Sequence, residues 1–202
     1  MLELQHRAAS LLVLDHHKTA EEDLAGLDFA RFDMEHSGAR LAWDHYVGKL
    51  ADVWWLVDYV EDRDLWRWAL PESKAVNATI QSWPETLEAW DELAKLPITD
   101  AVSQGLAILR YQATIVEKLS QKPQEVMLGG YAVLTVNAPV LQSEVCEKLA
   151  QGRAFGACWF ETDGKRVWSL RSREPSDVDV SKIAKAFGGG GHARAAGFTE
   201  GV

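Results

Sequence analysis

The sequence predicts an α/β protein, in which a partial parallel sheet wrapped by many helices is followed by a smaller α+β C-terminal domain. Three observations lead there. The early apolar run Leu11-Leu12-Val13-Leu14 reads as a buried strand, helical periodicity fills the middle of the chain, and aromatic and β-branched runs fill the last third. The 202 residues and 47% hydrophobic content suffice for one large domain or two small ones.

The elements follow in order. The first strand ends at Asp15-His16-His17. Ser37 is expected to cap a helix with Leu41, Ala42, His45 and Tyr46 on one face, a pattern that continues through Trp54, Val57 and Asp58. Two more helices are expected over about residues 72–83 and 84–94, the second beginning near Ser82 or Trp83 with Pro84 in its first turn. Pro97 breaks the pattern. From Thr99 to about Leu119, the spacing of Val102, Leu106, Leu109, Ala113, Val116 and Leu119 predicts a long connecting helix.

Gln121-Lys122-Pro123-Gln124 ends that helix and divides the chain into residues 1–97, a connecting helix over 98–122, and residues 123–202. Strands are expected over 126–136, 155–161 and 165–171, with Asp163-Gly164 as a hairpin signal between the last two. Helices around 144–150 and 180–186 complete the C-terminal domain, the second capped by Asp179.

The formal net charge is −9, and the excess acid is all in the first part. Residues 1–122 carry 12 basic and 21 acidic side chains, against 9 of each in residues 123–202. Such a surface argues against strong non-specific duplex binding, which draws its affinity from phosphate neutralisation by Lys and Arg. A short single strand or a small phosphorylated substrate held at a local site remains compatible with it. Cys146 and Cys158 are too few for a disulfide framework or a thiolate zinc site. With neither a signal-like start nor a membrane-length apolar stretch, the expectation is a cytoplasmic protein with no membrane partner.

Two motifs carry chemistry. Asp15-His16-His17 places three metal-competent side chains at the carboxyl end of a strand, where open α/β sheets build their sites. Further on, Gly188-Gly189-Gly190-Gly191-His192-Ala193-Arg194-Ala195-Ala196-Gly197 follows a helix. Its glycines let backbone amides approach a phosphate, and His192 and Arg194 can add directional hydrogen bonds to the same anion.

On these two motifs the chain resembles the DHH phosphoesterase family, in the form that carries a DHH-associated C-terminal domain, as in RecJ-type and nano-RNase-type enzymes. Ser169-Leu170-Arg171-Ser172 also looks like that family's substrate-side strand. The resemblance implies a partial DHH domain over residues 1–97 and a substrate-binding domain over 123–202. It further implies two divalent ions, commonly Mn²⁺ with Mg²⁺ as the alternative, because carboxylate and imidazole donors suit them. Asp15, His16 and Asp62 would be metal ligands, with Asp64 as the alternative to Asp62, and Asp15, His16, His17 and Asp62 the catalytic set. Arg171, Ser172, Gly189, Gly190, Gly191, His192 and Arg194 would hold the substrate. His36 and His45 are not assigned as ligands.

The family's upstream His-x-Asp-x-Asp cluster has no counterpart in the chain, which the resemblance explains as an N-terminally shortened member, catalytically incomplete by itself. A homo-oligomer or a second chain would then supply the missing motifs. The functional reading is a metal-dependent phosphoesterase acting on short oligonucleotides or a small phosphate ester. Its alternative is a non-catalytic nucleotide or single-strand binding module, for which nine tryptophans make base stacking conceivable. Trp43, Trp54, Trp55, Trp83 and Trp90 fit helix packing, whereas Trp66 and Trp68 lie closest to the proposed metal end.

Overall fold

The computed structural model describes residues 2–48 and 54–201. The part of the expected helix between Gly48 and Trp54 lies outside the described residues. The fold is α/β, and the chain divides into two compact units, residues 1–109 and 110–202.

Unit 1 runs α1 (Leu2–Arg7), β1 (Val13–Asp15), α2 (Lys18–Asp23), β2 (Ala30–Phe32), α3 (Gly38–Trp43), a π-helical turn (Asp44–Gly48), α4 (Trp55–Asp64), α5 (Ser73–Ser82) and α6 (Leu87–Ala94). The helix α7 (Ile98–Leu119) begins in unit 1 and ends in unit 2. β1 and β2 form a two-stranded parallel sheet, with Val13 opposite Ala30 and Asp15 opposite Phe32. β2, α1 and α2 have no counterpart among the sequence expectations. At three residues, β2 is too short to display a period of two.

Ser37 caps α3 by accepting a hydrogen bond from the Arg40 amide at 3.2 Å. The next expected cap differs: α6 starts at Thr86, whose hydroxyl accepts from Ala89 N, and not at Ser82 or Trp83. Ser82 is instead the last residue of α5, where its hydroxyl donates to the Thr79 carbonyl. Leu56, Tyr59, Val76, Ile80 and Leu93 form the core of this unit. Buried polar groups fix the helices on it: Asn77 donates to the Tyr59 carbonyl and Thr79 Oγ1 to the Ala101 carbonyl, at 3.0 and 2.6 Å. α7 crosses α5 so closely that a Cβ on Gly105 would lie 1.8 Å from the Ala75 carbonyl oxygen.

Unit 2 continues with β3 (Gln124–Leu128), β4 (Tyr131–Asn137), α8 (Gln142–Leu149), β5 (Gly156–Thr162), β6 (Lys165–Arg171), α9 (Val180–Ala186), β7 (Gly190–His192) and β8 (Ala195–Gly201). They form one six-stranded sheet in the order β3-β4-β5-β6-β8-β7. β4 and β5 are parallel, with α8 in the connection between them, and the other neighbours are antiparallel. The single strand expected over 126–136 is two strands, reversed at Gly129 and Gly130 with φ of +58° and +87°. That glycine pair supplies the positive dihedrals of a tight hairpin. Asp163 and Gly164 turn the β5–β6 hairpin in the same way, with φ of 49° and 70°.

α9 packs on one face, where Val180, Ile183 and Ala184 meet Phe155, Leu170 and Phe198. α8 packs on the other, where Val145, Cys146 and Leu149 meet Val136 and Cys158. Among the described residues no helix is long and apolar enough to cross a membrane.

Candidate metal and phosphate sites

β1 is half-buried and delivers Asp15-His16-His17 at its carboxyl end. The two histidines beyond the strand differ in exposure: the His16 side chain is 8% exposed, whereas that of His17, which precedes α2, is 51% exposed. Asp15 Oδ1 accepts from the His16 and His17 amides at 2.7 and 3.2 Å and lies 2.7 Å from His17 Nδ1. Burial alone would raise the Asp15 carboxyl, but these hydrogen bonds outweigh it and hold the group below the ordinary carboxylate value. A carboxylate on Nδ1 fixes the ring and, with the proton on that nitrogen, leaves Nε2 as the lone-pair donor, the usual way a metal-binding histidine is oriented.

One ligand atom from each of Asp15, His16 and His17 can be chosen so that all lie within 4.8 Å of one another. Among the described residues this is the one such group of three. A divalent ion with ligands at about 2.1 Å gathers its donors to roughly 3–4 Å, so small side-chain rotations bring this set into range. Oxygen and imidazole donors fit Mn²⁺ or Mg²⁺ and do not call for a thiolate.

The two acids at the end of α4 have different surroundings. Asp62 is 4% exposed. Its Oδ1 accepts from Ala69 N at 2.8 Å, and its Oδ2 accepts from Leu70 N at 3.3 Å and Ser73 Oγ at 2.5 Å. Its carbonyl accepts from Arg67 N at 2.8 Å. Asp62 therefore organises the turn between α4 and α5 with both carboxylate oxygens. Asp64, two residues on, carries its carboxylate 3.4 Å from His16 Nε2.

Glu61, next to Asp62 on α4, was not singled out by the sequence. It is 7% exposed, accepts from Ser37 N at 3.0 Å, and lies 3.4 Å from both His36 Nδ1 and Arg67 Nη1. Arg67 also donates to the Glu35 carbonyl at 2.6 Å. Only a contact across the chain, invisible to local spacing, brings these residues together.

In unit 2 the glycine-rich segment is partly a strand. α9 ends at Ala186, and two residues on Gly188, with a φ of +80°, reverses the chain. Gly189 then passes so close to β8 that a Cβ would lie 2.1 Å from the Gly197 carbonyl. Gly190–His192 pairs with β8 as the edge strand of the sheet.

Cross-strand register sets the chemistry of this edge. Cys158, Ser169, Gly197 and Gly190 form one row, and Gly156, Arg171, Ala195 and His192 the next, both on the face that carries α8. Beyond β6 the first row ends in Gly197 and Gly190, which leave a smooth floor beside Ser169, and the second ends in Ala195 and His192. A cavity of 540 Å³ lies there, lined by Ser169, Arg171, Gly188–Gly191 and β8 residues including Gly197. Arg171 Nη2 donates to Ser143 Oγ at 2.8 Å and Nη1 to the Leu170 carbonyl at 2.9 Å, while its buried Nε has no partner among the described residues.

The structure thus gathers Arg171, Gly189, Gly190 and Gly191 around one cavity. Ser172 and Arg194 are differently engaged. Ser172 is 6% exposed and braces the β7–β8 turn, its amide donating to the Arg194 carbonyl at 3.1 Å. The exposed Arg194 guanidinium donates to the Ser176 carbonyl.

No family model matches the chain. It is 28% identical over 209 residues to an uncharacterized protein of Acanthamoeba polyphaga mimivirus, an alignment covering 98% of this chain and 49% of that protein. The chain spans about half the length of the curated relative it matches. Among solved structures it is similar to a pGpG-specific phosphodiesterase, PggH, from Vibrio cholerae, at 15% identity and a TM-score of 0.46, covering 95% of this chain and 74% of that one. It is also similar to an exopolyphosphatase-related protein from Bacteroides fragilis, at 15% identity and a TM-score of 0.35, covering 91% and 56%.

Proposed function

We propose that the chain is a metal-dependent phosphoesterase of DHH type, acting on short oligonucleotides or a small phosphate ester. The observation that carries the reading is the donor set at the end of β1: Asp15, His16 and His17 with ligand atoms within 4.8 Å, and the Asp64 carboxylate 3.4 Å from His16. That separation suits two donors sharing one cation. Asp64, and not the hydrogen-bonded Asp62, is the α4 ligand in this proposal.

His16 and Asp64 would hold Mn²⁺, with Mg²⁺ as the alternative, and Asp15 would complete the shell while orienting His17 through its 2.7 Å contact. A bound divalent ion supplies Lewis-acid polarisation of a phosphoryl oxygen and makes water acidic enough to act as a nucleophile near neutral pH. In unit 2, Arg171, held by Ser143, would give a phosphate a fixed positive charge beside a glycine floor, and His192, in the same cross-strand row, a further donor.

A second reading, a nucleotide or single-strand binding module without catalysis, is favoured by the Arg171 cavity, which needs no metal to present its charge. Titration calorimetry with Mn²⁺ and hydrolysis of a 5′-phosphorylated diribonucleotide, each repeated on His16→Ala, separate the two. The phosphoesterase reading expects Mn²⁺ binding and Mn²⁺-dependent cleavage in the wild type, both lost in the variant. Tight, chelator-insensitive RNA binding with neither would sink it in favour of the module.

A further inference from the structure

Resting on the phosphoesterase reading, we infer that Trp66 and Trp68 form a nucleobase-stacking platform beside the Asp15–His17/Asp64 group, so that the substrate class is a nucleotide or oligonucleotide and not an inorganic polyphosphate. The two indoles meet edge to face, with centroids 5.1 Å apart and planes at 73°. Trp66 is 48% exposed, an unusual state for so large an apolar ring.

The turn that presents them is held against its own preference. Trp66 and Trp68 have φ of 56° and 52°, left-handed values that bulky residues avoid. The surrounding bonds impose them: Trp66 N donates to the Arg63 carbonyl at 2.9 Å, Arg67 N to the Asp62 carbonyl at 2.8 Å, and the buried Asp62 carboxylate takes Ala69 N and Leu70 N. Strain over-determined in this way is characteristic of sites that must present a group in advance. Asp64, the residue 3.4 Å from His16, lies two positions before Trp66 on the same stretch.

Charge selects the occupant. Lys74 Nζ stands 5.5 Å from the centroid of the Trp68 ring, and the exposed Arg63, Asp64 and Arg67 flank the pair in sequence. A stable protein interface buries about 800 Å² on each partner, much of it apolar at its centre, and two rings ringed by charges do not extend that far. A base needs one aromatic face, and its phosphate needs the adjacent cations.

The test measures binding of a 5′-phosphorylated diadenylate and of tripolyphosphate to the wild type, Trp66→Ala and Trp66→Phe, with Mn²⁺ and with chelator. Stacking predicts that Trp66→Ala weakens diadenylate binding by about tenfold or more while tripolyphosphate stays within twofold, and that Trp66→Phe keeps most of the diadenylate affinity. The platform is refuted if Trp66→Ala leaves diadenylate binding within twofold, weakens both probes equally, or if the wild type does not bind diadenylate. Failure of the phosphoesterase reading looks different: Mn²⁺ changes nothing for either probe, while the Trp66 effect persists in chelator.

Discussion

The Asp64 carboxylate stands 3.4 Å from His16 Nε2, so the last residue of α4 reaches the side chain that follows β1. Asp62, one short step earlier on the same helix, faces inward and holds a turn. The pair separates binding from folding. Asp64→Ala is expected to lower Mn²⁺ affinity by at least tenfold in titration calorimetry and leave the melting temperature almost unchanged. Asp62→Ala, which strands the Ala69, Leu70 and Ser73 donors, should cost about 3 kcal/mol of stability in denaturant unfolding. The reverse pattern would show Asp62 to be the ligand.

Two glycines of one motif have opposite tolerance. A Cβ on Gly189 would meet the Gly197 carbonyl at 2.1 Å, whereas one on Gly190 meets nothing within 4 Å. Gly189→Ala is expected to destabilise unit 2 by about 2–3 kcal/mol. Gly190→Ala should melt like the wild type yet bind phosphate less well, because its methyl stands on the cavity floor. Equal melting temperatures for the two variants would contradict the edge-strand geometry.

The crossing of α5 and α7 makes a sharper demand. Gly105→Ala places a methyl 1.8 Å from the Ala75 carbonyl, which the helices can relieve only by moving apart. Thermal unfolding should show a loss of about 3 kcal/mol, far beyond the small gain in helix propensity from Gly to Ala.

Asp179 links stability to pH. Hydrogen bonds from Ser181 outweigh burial and hold its carboxyl below the usual 3.8. A depressed folded pKa means that the ionised cap stabilises above the unfolded value and loses that contribution as pH falls through the folded one. Asp179→Ala should therefore cost about 1 kcal/mol at pH 7, with the difference from wild type shrinking below pH 3.8. A gap independent of pH would mean that the cap acts through its shape and not its charge.

Local chemistry made much of the fold legible. β6, α9 and the Asp163-Gly164 hairpin stand where periodicity and turn residues place them, and α7 begins one residue earlier than its apolar spacing suggests. Gly129-Gly130 carried a turn signal within an otherwise continuous β-rich run, and the run's hydrophobicity masked it. β2 could not be read, because three residues carry no pattern. The choice between Asp62 and Asp64 was equally closed to sequence. Two residues along a helix turn by about 200°, so the two carboxylates face opposite ways, and only packing decides which way is in. The Glu61 contacts with His36 and Arg67 depend on chain reversal and have no local signature at all.

The hydrogen bonds that Asp62 receives from Ala69 and Leu70 have a dynamic consequence. Those two amides are protected from solvent exchange while the carboxylate is in place, so their deuterium uptake reports the opening equilibrium of the α4–α5 turn. Because the same turn carries Asp64 and Trp66, every such opening displaces the acid and the indole together. Two backbone protons thus report what fraction of the time the region is assembled, without any ligand being present.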